Sequence, residues 1–515
     1  MQLSILTLIM LSPILGTILV MLIPKERDEA IKTVATASVG FSLLLSLYVF
    51  LAYDRVLGGF QFIEKVSWIP SLGVGYHVAV DGFSAPQLLL TAIVGFCACL
   101  INFRLQDRAR DFFAFLLPLI AGVFGSFMAL DTLLMLIFYE LVLFPVYVLV
   151  AGWGSKNRTY AAMKLTIYLF LGSLVAIIGL LAVYFKVGGS FDFLDMRRGI
   201  AALPAAESLE FQKQWFLPIF IGFGVLASIW PLHNWSPDGY AAAPTAVSML
   251  HGGVLKATGA YCALRFGVQI LPDGARYWMP LVAFLCLAGL IYAALIAFRQ
   301  TDLKYIIGFS SVSHLGLVLL GIAAINVEGF NGAGLELFAG GVMTGLMFAL
   351  VGIIYERSHE RDFTKLNGLI YVFPLAGVGF VIGSLAAMGM PGFSGFPAEL
   401  QIFRGLWQAA ETNSTMFIGQ LNRNYGWIAI GAVVSIAITA AWTLRVAGKM
   451  FFSEPTTPEW QKLEPLNGVE KFAIVLMCAV IIIVGVLPNT VMEVIAAGVR
   501  DIVAGMTTAA LAAGG

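Results

Sequence analysis

Runs of about twenty apolar residues recur along the whole chain, and they constrain it more than any other feature. A helix needs about 20 such residues to cross the hydrocarbon core of a bilayer. Within lipid every backbone N–H and C=O must be satisfied internally, so repeated runs of this length imply helices. The runs fall at about 4–23, 30–53, 83–103, 112–130, 132–153, 162–186, 215–232, 241–268, 277–298, 304–324, 332–355, 370–408 (interrupted), 425–448 and 469–492, roughly fourteen in all. With 59% hydrophobic and 12% charged residues and a mean hydropathy of +0.90, the 515-residue chain has too little polar surface for a soluble globule. The expected fold class is all-α, a polytopic membrane protein in contact with the lipid bilayer.

Lys and Arg are unevenly shared between alternate loops. Those after odd-numbered runs hold Lys25, Arg27, Arg104, Arg108, Arg110, Lys156, Arg158, Arg299, Lys304, Arg357, Arg361 and Lys365. Those after even-numbered runs hold fewer, chiefly Arg55, Lys65, Arg197, Arg198, Lys213, Arg276 and Arg423. The positive-inside rule makes the first set cytoplasmic and puts both termini on the other side. The first run lacks a small-residue cleavage site and reads as a retained helix. A formal net charge of zero gives no electrostatic case for nucleic acid. All five cysteines (Cys97, Cys99, Cys262, Cys286, Cys478) sit in apolar runs without a CxxC pair, so no disulfide, metal or iron–sulfur site is expected.

Two segments break helices that hydropathy would continue: "IWPLHNWSPDGYAAAPTAVS" (229–248) and "MGMPGFSGFPAEL" (388–400). Their Pro and Gly residues free backbone groups that only neighbouring helices or cavity water can satisfy. Paired interruptions in two halves point to inverted repeats around an ion path near the midplane.

Ionisable residues inside the runs are the candidate functional groups, because an intramembrane charge is costly unless it is neutralised, paired or hydrated. Glu140 sits mid-run, and five residues on Pro145 leaves the Leu141 carbonyl without its helical donor, a place for water. The alternative is a protonated structural glutamate bonded to another helix. Lys164 either snorkels to the edge as an anchor or exchanges protons close to Glu140. Lys256 lies mid-span beside Gly252 and Gly253, which permit close packing. His251 and His314 titrate near neutral pH, and Ser310 and Ser311 share the helical face of His314, where they can order water; a satisfied core histidine is the alternative. Glu399 opens the half-helix restarted at Pro397, where the dipole favours an acid, with Arg404 five residues on. Glu336, near the start of its run, is either a relay acid or an interfacial one. Glu140, Lys164, Lys256, His314 and Glu399 together form the alternating acids and bases a proton or cation relay requires. No P-loop, Rossmann fingerprint or nucleophile triad is present.

"WGSKNRTYAAMKLTIYLFLGS", "PLHNWSPDGYAAAPTAVS", "DLKYIIGFSSVSHLGLVLLGI", "IIYERSHERD" and "GMPGFSGFPAE" resemble the antiporter-like M subunit of respiratory complex I, the NADH dehydrogenase subunit 4 family. The resemblance implies about fourteen transmembrane helices and two inverted five-helix repeats with broken helices 7 and 12. The implied organisation is helices 1–3 in 1–110, a first repeat in 111–270, a second in 271–452, and helix 14 with a C-terminal tail in 453–515. It implies proton translocation driven by quinone reduction elsewhere in a proton-translocating NADH:quinone oxidoreductase, with no redox chemistry in this chain. NADH, FMN, iron–sulfur clusters and quinone then belong to other subunits. The implied partners are L- and N-type antiporter-like and small membrane-arm subunits, in a bacterial inner membrane or an equivalent energy-converting membrane. Glu140 in "FYELVLFP", Lys164, His314 and Glu399 match the family's relay positions. Three positions depart from it: Leu226 stands where the helix-seven lysine belongs, Lys256 precedes the helix-eight lysine position by one residue, a shift a helix bulge would absorb, and Gly340 occupies a site that is histidine in some members. The alternatives are a subunit of an Mrp-type cation/proton antiporter or membrane-bound hydrogenase, and a non-pumping structural spacer.

Overall fold

A computed structural model of the chain describes residues 4–411 and 424–513; Arg423 lies outside the described residues. In chain order the elements are α1 (Ile5–Leu22), α2 (Asp28–Ala52), the hairpin β1 (Gln61–Ile69) and β2 (Val74–Val80), α3 (Ala85–Ile101), α4 (Ala109–Met128), α5 (Thr132–Trp153), α6 (Arg158–Lys186), α7 (Phe193–Ala201), α8 (Ala205–Leu226), α9 (Trp235–Ala242), α10 (Thr245–Leu250), α11 (Lys256–Cys262), α12 (Pro272–Arg299), α13 (Leu303–Ala323), α14 (Val327–Ser358), α15 (Pro374–Ala387), α16 (Gly395–Glu411), α17 (Tyr425–Met450), α18 (Gly468–Val486) and α19 (Asn489–Ala513). Eleven of them, α1 to α6, α12 to α14, α17 and α18, are long and apolar enough to cross a membrane.

Burial sorts these helices. The most apolar window of α14 is buried throughout, and α3 and α13 are nearly so, whereas α1, α2, α6, α12, α17 and α18 leave more than half of theirs open. The open faces carry leucine, isoleucine and phenylalanine, such as Leu44, Phe170, Ile178 and Phe284, as lipid-facing surfaces do. At the centre, α14 packs against α3, α13, α16, α18 and α19. Its approach to the helix carrying Lys256 needs glycine: a Cβ on Gly253 would lie 2.7 Å from the Gly341 carbonyl oxygen.

Both expected breaks are present. α8 stops at Leu226, where the Val225 carbonyl accepts from the Ser228 amide (2.9 Å) and from Nε1 of Trp235, the first residue of α9 (3.0 Å). The second break runs between α15 and α16, with Gly389 and Gly392 at positive φ. A third irregularity falls beside Lys256: α10 and α11 are joined by a π-helical turn at His251–Leu255, and a second follows at Ala263–Val268. Such turns absorb an extra residue, so this helix does carry the kind of bulge that a shifted lysine requires.

The loops after α3, α5, α12, α14 and α17 meet on one face. There Arg361 bonds Ser155 and Asp302, Arg104 pairs with Glu464, and Arg357 pairs with Glu470 (2.7 Å). The opposite face is built by the hairpin, α7 and α19. One expectation needs correction here. The all-α class holds for the membrane body but not for the loop after α2, where alternating residues such as Tyr76 and Val78 pair with β1 as an antiparallel hairpin. After the last long apolar helix the described chain remains helical: α18 stops at Val486, and α19 begins after Pro488, which cannot continue the preceding ladder. α19 lies across that face, with Glu493 on Arg55 (2.5 Å), Asp501 accepting from the Gly59 amide (2.5 Å) and Arg276 reaching the Met506 carbonyl (3.1 Å).

Candidate functional site

The π turn before Lys256 aims its side chain across to α13, where Nζ donates to the Ser311 carbonyl (3.0 Å) and to the Ser311 hydroxyl. That hydroxyl donates in turn to the Gly252 carbonyl (3.3 Å). One turn along α13, His314 Nδ1 bonds Glu336 Oε1 on α14 (3.1 Å). Lys256, His314 and Glu336 are all buried. They line one small cavity with Gly253, Ala257 and Gly340, and its volume of ≈ 10 Å³ is about the least that admits one water. His314 Nε2 and Glu336 Oε2 have no protein partner, and an ordered water would satisfy them.

Glu399 lies on the far side of Glu336. It is buried on the first turns of α16, and its carboxylate rests against the backbone of Gly389, where a Cβ would collide with it. The Glu336 and Glu399 carboxylates are within electrostatic reach of each other. Arg404 does not join them; it pairs with Glu328 (3.1 Å). Gly340 is equally placed: a Cβ there would lie 3.0 Å from Glu336 Oε1, so the carboxylate occupies the space of a side chain at 340. Ser310 is buried, without a role in this contact set, while Ser311 is the residue that holds Lys256.

Two expected members stand apart. Glu140, half-buried on α5, lies beside Ser173 of α6, whose hydroxyl is committed to the Phe170 carbonyl (2.9 Å), and Oε1 is left without a partner. Lys164 bonds Asp238 Oδ2 on α9 (2.6 Å) and not Glu140. Leu226 is fully buried at the end of α8, and a Cβ on Gly259 of α11 would meet its carbonyl carbon at 2.9 Å, so the backbones are tightly packed here. His251 is enclosed between Trp235 (5.3 Å) and Tyr240 (5.4 Å) with neither ring nitrogen bonded.

Residues 129–421 match the family described as NADH:quinone oxidoreductase/Mrp antiporter, TM. Over 486 residues the chain is 34% identical to NAD(P)H-quinone oxidoreductase chain 4 2 of Thermosynechococcus vestitus, covering 94% of this chain and 89% of that one. The chain belongs to this family. NADH-quinone oxidoreductase subunit M of Rhodobacter capsulatus is 31% identical over 493 residues, 92% of this chain and 91% of the relative. A chain of respiratory complex I from Thermus thermophilus superposes with a TM-score of 0.84 at 26% identity, covering 97% and 99%. A chain of the Mrp complex from Dietzia sp. DQ12-45-1b reaches 0.83 at 19%, covering 99% of each, and shows the shared fold alone.

For an antiporter-like subunit of the M or chain 4 type, two charged contacts escaped the sequence reading. Asp238 binds Lys164 and also accepts from the Tyr305 hydroxyl (2.8 Å); the signal was an acid in the first turn of the helix restarted after the break. Asp81 and Arg265 form a buried ion pair (2.5 Å) extended by Tyr261 and Gln269. Arg265 sits inside an apolar run as Lys256 does, and the same cost argument would have singled it out.

Proposed function

We propose that this chain translocates protons as a membrane-arm subunit of a complex I-type NADH:quinone oxidoreductase. The path runs through Lys256, His314, Glu336 and Glu399, bridged by water and coupled to quinone reduction in other subunits. The observation that carries this reading is the small cavity lined by Lys256, His314 and Glu336, together with a His314 nitrogen and a Glu336 oxygen that have no protein partner. Base, imidazole and acid lie in sequence, each able to take and give up a proton, and glutamate follows glutamate towards α16.

In this reading the eleven long helices are joined by three more crossings, α8 with α9, the helix 245–268, and α15 with α16. That gives fourteen, arranged as two inverted five-helix repeats in 111–270 and 271–452. The basic face is cytoplasmic, both termini lie opposite, and the membrane is a bacterial inner membrane or its equivalent. NADH, FMN, iron–sulfur clusters and quinone reside in partner subunits, among them L- and N-type antiporter-like chains.

Replacing Glu399 with Gln in the intact complex tests the reading. The proton-to-electron ratio in proteoliposomes should fall while NADH oxidation and assembly continue; an unchanged ratio removes the path. A second reading, a spacer that no longer pumps, draws support from Leu226 and from Glu140 having no cation; it expects unchanged ratios in the Lys256 and Glu399 variants alike. A place in an Mrp-type antiporter or membrane-bound hydrogenase predicts that the purified assembly lacks the flavin and iron–sulfur proteins of an NADH-oxidising arm.

A further inference from the structure

We infer that Asp238, paired with Lys164 and Tyr305, is the site at which the first half of the chain takes up protons from the basic face. This rests on the proton-translocating reading and adds to it a mouth.

Three elements distant in sequence converge on the carboxylate. Lys164 of α6 holds Oδ2 at 2.6 Å, and the Tyr305 hydroxyl of α13 holds Oδ1 at 2.8 Å. α9 supplies the acid because the break after Leu226 lets the chain restart close to the basic face. The ion pair is neither sealed nor open: its side chains are 13% and 25% exposed. A cavity of ≈ 270 Å³ reaches it, lined by Asp238 and Tyr305 together with Lys156, Asn157, Tyr160 and Arg361. Lys156 and Arg361 belong to the loops of the basic face, so this space links that face to the acid and has room for several waters.

The charge balance suits uptake. At rest carboxylate and ammonium cancel, and the pair is neutral. A proton from cavity water converts the carboxylate to the acid, hydronium becomes water, and the pair acquires a net charge of +1. In a partly desolvated site that charge is unfavourable, so the proton is not trapped: it leaves to water on the way to Lys256, the first base of the proposed path, and the ion pair re-forms. Elsewhere in the first half the sequence-expected acid, Glu140, lies beside the Ser173 hydroxyl with no basic partner among its contacts. Asp238 and Lys164 are thus an acid–base pair of this half with a cavity reaching it from the basic face.

The test uses the whole complex in proteoliposomes, with the proton-to-electron ratio as readout and Glu399→Gln alongside. Asp238→Asn should lower the ratio by the same factor as Glu399→Gln, and the double variant should lower it no further, since both lie on one path. Asp238→Glu should restore it. A purely structural ion pair is separated by Lys164→Met with Asp238→Leu, which replaces two charges by apolar groups: continued loss of pumping supports uptake at Asp238, and a normal ratio overturns it. A normal ratio in Asp238→Asn beside a lowered one in Glu399→Gln sinks the uptake site alone. Normal ratios in both sink the translocating reading as well.

Discussion

Replacing Lys256 with Met separates function from stability, because the structure sets the two costs against each other. The ammonium makes two hydrogen bonds, to the Ser311 carbonyl and hydroxyl. Bonds to a charged group contribute about 1.5 to 3 kcal/mol each. Holding a lysine ammonium out of water costs several kcal/mol, so the terms cancel to within about 2 kcal/mol. The groups left behind keep partners: the Ser311 hydroxyl still donates to the Gly252 carbonyl (3.3 Å), and its carbonyl lies inside α13. Methionine has a similar length and is compatible with the buried π-bulged helix. The complex should therefore assemble, as native gels of the solubilised membranes would show, and oxidise NADH. Proton uptake into proteoliposomes should fall to the level of the Glu399→Gln complex. A chain that no longer accumulates would refute the energetic reasoning; an assembled complex pumping at the full ratio would refute the role of Lys256.

Three further outcomes follow from other parts of the chain. Asp192→Ala removes the N-cap of α7, the acceptor for the Leu194 amide (2.9 Å) and the partner of His77 (2.7 Å) and Lys65 (2.6 Å); a loss of roughly 1 to 2 kcal/mol should appear as faster hydrogen exchange in the hairpin with pumping retained. Burial pushes the Asp192 carboxyl up, but the bonds and charges of His77 and Lys65 more than offset it and hold it well below the usual carboxylate range; its contribution is complete above pH 4 and is lost only as the pH falls through that depressed value, so wild-type hairpin exchange should not respond to Asp192 titration between pH 8 and pH 5. Gly485→Ala would drive a Cβ into the backbone of Phe393 at the α15–α16 break, so the variant should accumulate poorly even though alanine is the better helix former; wild-type levels would mean that α18 does not press on the break.

Much of this architecture was legible because lipid leaves few options. The positions of the apolar runs, the Gly and Pro interruptions and the Lys/Arg alternation each map onto a helix, a break or a face. Lys256 and Glu399 were legible for the same reason, since a charge surrounded by leucine and glycine has to be held by something. The partners were not legible. Lys164 meets Asp238 because α9 restarts at a particular angle, and nothing in the spacing of residues 164 and 238 reports that angle. The hairpin and α19 were missed because hydropathy over twenty residues is blind to a two-residue alternation and to an amphipathic helix docked on a protein face. Glu336 was ambiguous by position, and its contact with His314 emerged only with the packing of α14, whose most apolar window is wholly buried.

The central claim is that Lys256, His314, Glu336 and Glu399 form one hydrated path. A cryo-EM map of the intact complex, at a resolution that shows ordered water, tests it most directly. The expected result is a water between Lys256 Nζ, His314 Nε2 and Glu336 Oε2, with further waters joining Glu336 to Glu399. A well-resolved but dry pocket, with His314 Nε2 and Glu336 Oε2 facing only carbon, would contradict it.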